Sequence, residues 1–471
     1  MRVVTQQLST IPERDLPPLA RHLVDVRDAE TTSFHMPAHK GGAGAPPAGV
    51  ELLGAAAYDA DVSEMGGFDY LHDAGAALSG AQARAAALFG ADSTRFLVNG
   101  ATVGNIAAVM STVSDGDVIL VARGSHRSTY AGITLSGAHP IYLAPLANPR
   151  LDGLFGIAVD DVASALDTHP EIKAVHLTNP SYYGFTVDIA AVATITSAAG
   201  IPLIVDEAHG SHWALDSRFP APALSAGADL VIQSPHKTLG SLTQSSLIHV
   251  SGDRVDGAAL DGHLQMLQSS SPSSLLLVSL DVAIDEMARH GKTRWAGAIA
   301  LADELRVSIN AHRGLTAYGE EEIVDTPGIV GFDPTKVVVD VHRLATTGFA
   351  AGAWLRAHTG LNPEFADLRR MVFSVTYADD RRSTGLLADA LGRLAHSSPV
   401  GAPIDTLVSR WPVSIPEMVC TPRVGSSSGS QRVPLADAIG RTCAEMVVPY
   451  PPGVPLLVPG ERISTEVVAA I

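Results

Sequence analysis

The sequence has few of the residues that mark secreted or nucleic-acid-binding proteins. Two cysteines occur among 471 residues, and neither Cys420 nor Cys443 lies in a C-x-x-C or a Cys/His metal pattern. This scarcity predicts a reducing compartment and structural thiols, so we expect a cytoplasmic protein. Lys and Arg number 32 against 49 Asp and Glu, a net charge of −17, and they form no basic stripe. A nucleic-acid partner is therefore not expected.

Long hydrophobic runs are also missing. The N-terminus has no apolar core of the kind that a signal peptide needs, and the most apolar stretch, residues 190–205, is interrupted by Gly200 and Pro202. We interpret that stretch as a helix, a turn and a buried strand, so no membrane span is expected. Hydrophobic residues make up 46% of the chain and charged residues 17%, which argues against disorder and predicts a large core.

Short apolar runs alternate with Ala-rich helical stretches in the first half of the chain. The seven predicted strands are 94–98, 118–121, 140–143, 173–178, 201–206, 229–233 and 246–250. The helical stretches that separate most of them are 103–113, 126–137, 159–168 and 188–199. This alternation favours a mostly parallel sheet with helices on both faces. The segment between the predicted strands 229–233 and 246–250 is too short for a full helix, so we expect the last strand to run antiparallel.

Three parts of the chain are expected. Residues 1–70 form an irregular N-terminal segment, 71–310 a large domain that ends in a long helix over 274–310, and 311–471 a smaller C-terminal domain. A second α/β pattern in the last part predicts a strand over 335–341, a helix over 346–359, a strand over 371–376 and a helix over 382–396. The segment VGSSSGSQ (424–431) is the expected mobile loop.

Lysine is scarce too, which narrows the search for a residue able to form a Schiff base. The five lysines are Lys40, Lys173, Lys237, Lys292 and Lys336. Lys173 and Lys336 lead into predicted strands, where solvated edges are the ordinary explanation, and Lys292 follows a helix end. Lys40, in a Gly-rich loop, is a rival. Lys237, in QSPHKTLGS, comes just past a buried strand, where parallel α/β sheets bind ligands, so we predict that it binds pyridoxal phosphate.

The motif VDEAHGSHW (205–213) stands at another strand end. A carboxylate at Asp206 is a candidate to pair with the protonated pyridine nitrogen of the cofactor, which keeps the ring able to accept electrons. DEAH also occurs in helicases, which need a phosphate loop of the form G-x-x-x-x-G-K-[ST]. The single GK[ST] of this chain has Glu286 at the position of the first glycine, so a helicase is not expected. A metal site of Asp206, His209 and His212 does not match the H-E-x-x-H pattern, so no metal is predicted.

Two further motifs supply candidates for cofactor binding. FLVNGATVGN (96–105) predicts a strand, a Gly turn and a helix, whose N-terminus offers free N–H groups to a phosphate; Thr102 and the backbone of Val103 are the candidates. His126, in RGSHRSTYAG (123–132), begins a helix after a strand. A lone histidine is usually structural, but in this company it is a candidate to stack on the pyridine ring.

Taken together, these motifs resemble the Orn/Lys/Arg decarboxylases of the fold-type-I pyridoxal-phosphate superfamily, in the short form without an N-terminal wing domain. The similarity runs in order over most of the chain and includes FHMPAHKGG (34–42), DVSEMGGFDYLHD (61–73), SSSPSSLLLVSLD (269–281) and AEMVVPYPPGVPLLVPGE (444–461). The resemblance implies an aspartate-aminotransferase-like α/β fold. Its large domain holds a mostly parallel seven-stranded sheet, and a smaller C-terminal α/β domain follows.

The same resemblance implies roles for individual residues. Lys237 carries the Schiff base, Asp206 binds the ring nitrogen and His126 stacks on the ring. The residues that it places near the phosphate are Ser234, His236, Thr102 and Val103. Ser270 reaches the phosphate of the neighbouring subunit, which implies a homodimer with shared active sites.

The implied reaction is decarboxylation of arginine, lysine or ornithine, which releases CO₂ and a polyamine-type amine. Protonation at Cα falls to Lys237 or to a nearby histidine, for which His209 is the candidate. The distal cation of such a substrate needs an acidic partner, and the candidates are Glu64, Asp69 and Asp367. Each of these is more often a surface or helix-cap residue.

Two departures from the family pattern keep other reactions open. Ala38 replaces a usual glycine, and residues 421–432 replace a segment that lies near the substrate entrance in relatives. An aminotransferase, lyase or oxidase acting on a basic amino acid is the alternative. A catalytically silent paralogue is a third hypothesis, against which the intact set of Lys237, Asp206 and His126 argues.

Overall fold

The computed structural model describes residues 16–29, 31–148, 150–323, 325–398, 414–449 and 453–471. The strands within these ranges are β1 (Ser93–Leu97), β2 (Val118–Ala122), β3 (His139–Leu143), β4 (Leu146–Asn148), β5 (Gly153–Phe155), β6 (Ile172–Thr178), β7 (Phe185–Thr186), β8 (Leu203–Asp206), β9 (Leu230–Gln233), β10 (Ser246–Val250), β11 (Thr316–Ala317), β12 (Gly331–Phe332), β13 (Lys336–Asp340), β14 (Phe365–Ala366) and β15 (Arg370–Ser374).

The α-helices of the same ranges lie between and after these strands. They are α1 (Pro18–Asp28), α2 (Pro47–Leu53), α3 (Ala55–Ala60), α4 (Ala76–Phe89), α5 (Gly100–Thr112), α6 (Arg127–Ser136), α7 (Val159–Thr168), α8 (Ile189–Ala199), α9 (Pro235–Thr238), α10 (Gly257–Leu267), α11 (Ser274–Asn310), α12 (Glu320–Ile323), α13 (Gly348–Thr359), α14 (Arg381–Ser397), α15 (Pro422–Ser427) and α16 (Thr465–Ala470). None of the helices described is long and apolar enough to cross a membrane.

A seven-stranded sheet in the order β1-β10-β9-β8-β6-β2-β3 organises the large domain. The pairs β9–β8, β8–β6, β6–β2 and β2–β3 are parallel, whereas β10 pairs antiparallel with both β1 and β9. The predicted antiparallel direction of the last strand of this sheet, β10, is therefore confirmed. Strands β8, β9 and β10 are buried along their whole length, as expected for a sheet covered on both faces.

A smaller antiparallel sheet, in the order β11-β13-β15-β14, lies in the C-terminal half. Its apolar side chains form a separate core with helices α13 and α14, represented by Val337, Val339, Met371, Leu355 and Leu391. The strand–helix–strand–helix pattern predicted from the sequence is confirmed here to within two residues at each end.

Two expectations about irregular segments are only partly met. Helices α1, α2 and α3 lie in the N-terminal segment, of which residues 1–15 fall outside the description. Helix α1 is fixed on α11 because the backbone N–H groups of Leu19 and Ala20 donate to the Asp281 carboxylate at 2.7 and 3.2 Å. The loop expected over 424–431 is helical in its first part, within α15, where Thr421 caps the helix by accepting from the Val424 N–H.

Helix α5 packs so closely on the sheet that it requires a glycine. A Cβ added at Gly104 would lie 2.9 Å from both Ile232 Cγ2 and Leu97 Cδ1. We expect Gly104→Ala to destabilise the protein by about 1–3 kcal/mol, the usual cost of overpacking, and to lower the melting temperature. Gly262→Ala, in α10 with open space around it, is the matched control and should leave stability unchanged or raise it. Equal melting temperatures for the two variants would contradict this packing.

Candidate active site

Three of the predicted site residues follow strands that point the same way. Asp206 ends β8, Lys237 lies in α9 directly after β9, and His126 caps α6 after β2. These strands belong to the continuous parallel part of the sheet, β9-β8-β6-β2. Their carboxyl ends therefore meet at one edge, where open α/β sheets bind ligands.

The Nζ of Lys237 is 3.0 Å from His209 Nε2. Burial among protein atoms lowers the pKa of Lys237, against the opposing attraction of Asp206. Burial and the charge of Lys237 also hold the pKa of His209 well below its usual range, so the His209 ring is neutral and accepts from the lysine. A lysine with a lowered pKa is a better nucleophile near neutral pH.

Asp206 is 4% exposed, and both of its carboxylate oxygens have hydrogen-bond donors. Oδ1 accepts from the Ala208 N–H at 3.1 Å, and Oδ2 accepts from Asn105 Nδ2 at 2.8 Å. Such donors offset the cost of burying a charge and hold the carboxylate in place. The arrangement can bind a cationic nitrogen at the sheet edge.

His126 is held by the first turn of the helix that it caps. Its Nδ1 accepts from the Ser128 N–H at 3.3 Å and lies 2.7 Å from Ser128 Oγ. Burial lowers the pKa of His126, so the ring is neutral near physiological pH. A neutral, half-buried imidazole beside Asp206 and Lys237 is suited to packing against a flat ligand.

The N-terminus of α5 has no side-chain cap, although the Gly100 N–H donates to the Gln244 carbonyl at 2.8 Å. The N-cap residue, Asn99, makes no capping hydrogen bond with its side chain, and Gly100 adopts a φ of +72° that favours glycine. Thr102 is exposed in the first turn, and Val103, which follows it, is buried. The Ser269 N–H donates to Asn99 Oδ1 at 3.4 Å, so Ser269 contacts the N-terminal end of α5. Ser270, the next residue, is exposed.

Ser234 and His236 lie next to Lys237 in sequence but differ in what they can offer. Ser234 is buried, with its Oγ 3.4 Å from Ser246 Oγ. His236 Nδ1 donates to the Ser245 carbonyl at 2.6 Å. Burial lowers the pKa of His236, so the neutral ring carries its proton on Nδ1 and its Nε2 is an acceptor. Ser234 is therefore better suited than His236 to donate a hydrogen bond to an anion.

The acidic residues predicted for the substrate pocket have structural partners. Asp69 accepts from the Leu78 N–H at 2.8 Å, and Asp367 accepts from the Tyr183 hydroxyl at 2.7 Å and pairs with Arg370. Glu64 begins a short 3₁₀ turn in the N-terminal segment. Besides Asp206, the exposed Glu364 also raises the pKa of Lys237. No motif contains Glu364, so sequence reasoning missed it.

The interpretation of Lys336 as a solvated strand edge is wrong. Lys336 is 6% exposed, and its Nζ donates to Ser374 Oγ at 2.7 Å on the neighbouring strand β15. The reason is tertiary: β13 is an inner strand of the small sheet, and the charge of Lys336 lowers the pKa of Lys237 and of His209.

The two histidines that follow Asp206, His209 and His212, contact different residues. His212 Nε2 lies 2.9 Å from the carboxylate of the buried Asp333, and the ring stacks on Trp295 with centroids 4.2 Å apart, whereas His209 contacts Lys237. In the part of the chain that the structure describes, no group of three or more His, Cys, Asp or Glu side chains is arranged to hold a metal ion.

Comparison with known proteins places this site in a family. The model for the Orn/Lys/Arg decarboxylase major domain matches residues 17–383, and that for the C-terminal domain matches residues 413–471. The arginine decarboxylase of Halalkalibacterium halodurans is 37% identical over 438 residues, covering 93% of this chain and 89% of that protein. The arginine decarboxylase of Bacillus cereus is 36% identical over 449 residues, covering 95% and 97%.

A solved structure supports the same assignment at the level of the fold. The lysine decarboxylase of Francisella novicida superposes with a TM-score of 0.83 at 20% identity, covering 97% of this chain and 76% of that one. The predicted aspartate-aminotransferase-like α/β fold is thereby confirmed. Because both domain models match in order and the relatives align along nearly the whole chain, the protein belongs to the Orn/Lys/Arg decarboxylase family of amino-acid decarboxylases.

Proposed function

We propose that the protein is a pyridoxal-phosphate-dependent decarboxylase of a basic amino acid, with arginine as the first substrate to test. The observation that carries the proposal is the meeting of Lys237, Asp206 and His126 at one edge of the parallel sheet. Four relatives that are 33–37% identical to this chain are arginine decarboxylases.

The side chains at the sheet edge fit this cofactor chemically. An amine with a lowered pKa suits the cofactor aldehyde, and a buried, hydrogen-bonded carboxylate suits the pyridine nitrogen. The N-terminus of α5, whose first turn has no side-chain cap, suits a phosphate group. We assign these roles to Lys237, to Asp206, and to Thr102 and Val103 with Ser234.

Pyridoxal phosphate, when bound, supplies an electron sink for the electron pair that remains as CO₂ leaves. The residues of the chain prepare the site for that chemistry. Asp206 keeps a positive charge on the nitrogen that it binds, and the neutral ring of His126 packs on the flat face. Lys237 holds the proton that returns to Cα, and His209 orients its Nζ through their 3.0 Å hydrogen bond.

The distal cation of the substrate requires a carboxylate, and we assign that role to Glu364 in preference to Asp69 and Asp367. Glu364 is exposed and its charge raises the pKa of Lys237, which supports a position near the reacting group. The buried Lys336 has the opposite effect and lowers the pKa of Lys237, so a positive group is disfavoured near Lys336. The two charges together orient a basic substrate.

Decarboxylation is separated from the alternative reactions by its products. We expect a panel of amino acids to show CO₂ release and amine formation with arginine, lysine or ornithine, without stoichiometric keto acid. Keto-acid formation without CO₂ would favour an aminotransferase or oxidase. No spectral change with any amino acid would favour a silent paralogue.

Substrate charge gives a quantitative prediction. A carboxylate left unpaired by a neutral side chain costs at least about 1–3 kcal/mol, so kcat/KM for the preferred basic amino acid should exceed that for norleucine by at least about 10-fold. Glu364→Gln should reduce this ratio, because it removes the charge and keeps the shape. Measuring kcat/KM for arginine, lysine, ornithine and norleucine in both proteins checks this.

A matched control is available at the opposite edge of the sheet. Glu171 is exposed just before the amino end of β6, and Glu171→Gln should leave the arginine-to-norleucine ratio unchanged. Equal kcat/KM for norleucine and the basic amino acids would contradict a charged side-chain pocket. An unchanged ratio in Glu364→Gln would remove Glu364 from it.

The assembly, location and pathway also belong to this proposal. We assign a homodimer in which Ser270 serves the partner's phosphate site. Exposed apolar side chains in the N-terminal segment, such as Phe34 and Met36, support an interface. Two free cysteines support a cytoplasmic location, and a basic amine as product supports a place in polyamine synthesis.

A further inference from the structure

A buried chain of hydrogen bonds links Asp206 to His126 through Asn105, a residue that the motif analysis did not assign. Asn105 lies in the second turn of α5 and is 1% exposed. Its Nδ2 is 2.8 Å from Asp206 Oδ2 and 3.0 Å from Ser128 Oγ. The interpretation that follows rests on the proposed function, because it gives these contacts a role toward the cofactor.

The Asp206 carboxylate determines how the Asn105 amide is oriented. A carboxylate only accepts hydrogen bonds, so the NH₂ group of Asn105 must face it. Its two N–H groups are then used by Asp206 and Ser128, and Oδ1 is left to accept. His176 Nε2 lies 3.3 Å from that oxygen and must carry the proton. Burial lowers the pKa of His176 to about 4, so this ring is neutral.

The hydrogen bond from Asn105 also determines the direction of the hydrogen bond between Ser128 and His126. Because Ser128 Oγ accepts from Asn105, its own proton is free to point to His126 Nδ1, 2.7 Å away. The Ser128 backbone N–H donates to the same nitrogen at 3.3 Å. Two donors converge on Nδ1, so a proton on that nitrogen would meet both. The proton of the neutral His126 ring therefore lies on Nε2.

We propose that Asn105 is a positioning residue that holds the Asp206 carboxylate and, through Ser128, fixes His126 as the neutral Nε2–H tautomer. A neutral ring packs on a cationic pyridine without like-charge repulsion, and its Nε2–H remains as a donor toward the site. The charged or titratable groups that face His126 are Asp206, Lys237, Arg127 and His209. Asn105 couples the only anion among them to the ring.

The tautomers are measurable by long-range ¹⁵N–¹H NMR on the full-length chain, with and without pyridoxal phosphate. The spectra of His126→Gln and His176→Gln assign the two rings among the 18 histidines. We expect the wild-type protein to show Nε2–H for both. Asn105→Leu should give an Nδ1–H population at both rings, and Ser128→Ala at His126 alone. Nδ1–H at His126 in the wild type, or unchanged tautomers in both variants, would overturn the proposal.

A kinetic experiment tests the consequence of the coupling. Asn105→Leu removes a hydrogen bond to a charged group, so kcat should fall by about 10- to 100-fold with little change in KM. Ser111→Ala, on the same helix away from Asp206, should keep the wild-type kcat. Normal kcat in an Asn105→Leu protein with altered tautomers would refute the coupling. Since the spectra require no turnover, an inactive wild type would refute the proposed function alone.

Discussion

Lys237→Ala should abolish amino-acid decarboxylation and the covalent bond to pyridoxal phosphate. Lys237 follows β9 at the ligand-binding edge, whereas Lys173 lies at the amino end of β6, at the opposite edge. Lys40 is exposed, and its Nζ donates to the His35 carbonyl within its own loop. Of the remaining lysines, Lys336 is held by Ser374, and Lys292 lies exposed on α11. Among the lysines, all of which lie in the described part of the chain, none is therefore placed to replace Lys237.

Borohydride reduction followed by peptide mapping measures this directly. The wild-type protein should carry the reduced cofactor on the peptide that contains Lys237, and the Lys237→Ala protein should carry none. Lys173→Ala is the control, since an exposed residue at the far edge of the sheet should leave labelling and activity unchanged. A label on Lys40 in the wild-type protein would refute the assignment.

Asp206→Asn should lower kcat by about 100- to 1,000-fold while the protein still binds pyridoxal phosphate. The substitution keeps the shape but removes the charge that keeps the pyridine nitrogen protonated, and removing one preorganised electrostatic contact has costs of that size. Cofactor binding should persist because Lys237 and the N-terminus of α5 are unchanged. Cofactor absorbance and kcat, measured on the same preparation, separate the two effects.

The control for this prediction is Asp256→Asn at the N-cap of α10. Asp256 follows β10, whose antiparallel direction places its carboxyl end at the opposite edge of the sheet, and asparagine is an equally good N-cap. This variant should have wild-type kcat. Near-normal turnover in Asp206→Asn would show that Asp206 is not the pyridine partner. Complete loss of cofactor would instead indicate a structural role.

Local patterns in the sequence predicted the architecture of the large domain and the main residues of the candidate site. Apolar runs marked each strand because a strand buried on both faces must be apolar along its length. Asp206 ends such a run, and Lys237 and His126 each follow one after a short gap. Once the strands are known to be parallel, position along the chain alone places these residues at one edge.

Only the tertiary structure decided which side chains complete the site. Asn105 and Asp206 are 101 positions apart, and Asn105 and His176 are 71 apart, so no local period relates them. Lys336 has the sequence context of a solvated strand start, yet the packing of β13 inside the small sheet buries it. Glu364 lies in the C-terminal half, far from Lys237 in the sequence, yet its charge raises the pKa of Lys237. Sequence patterns report local conformation and burial, whereas these contacts depend on how distant elements pack, which is why they emerged only from the fold.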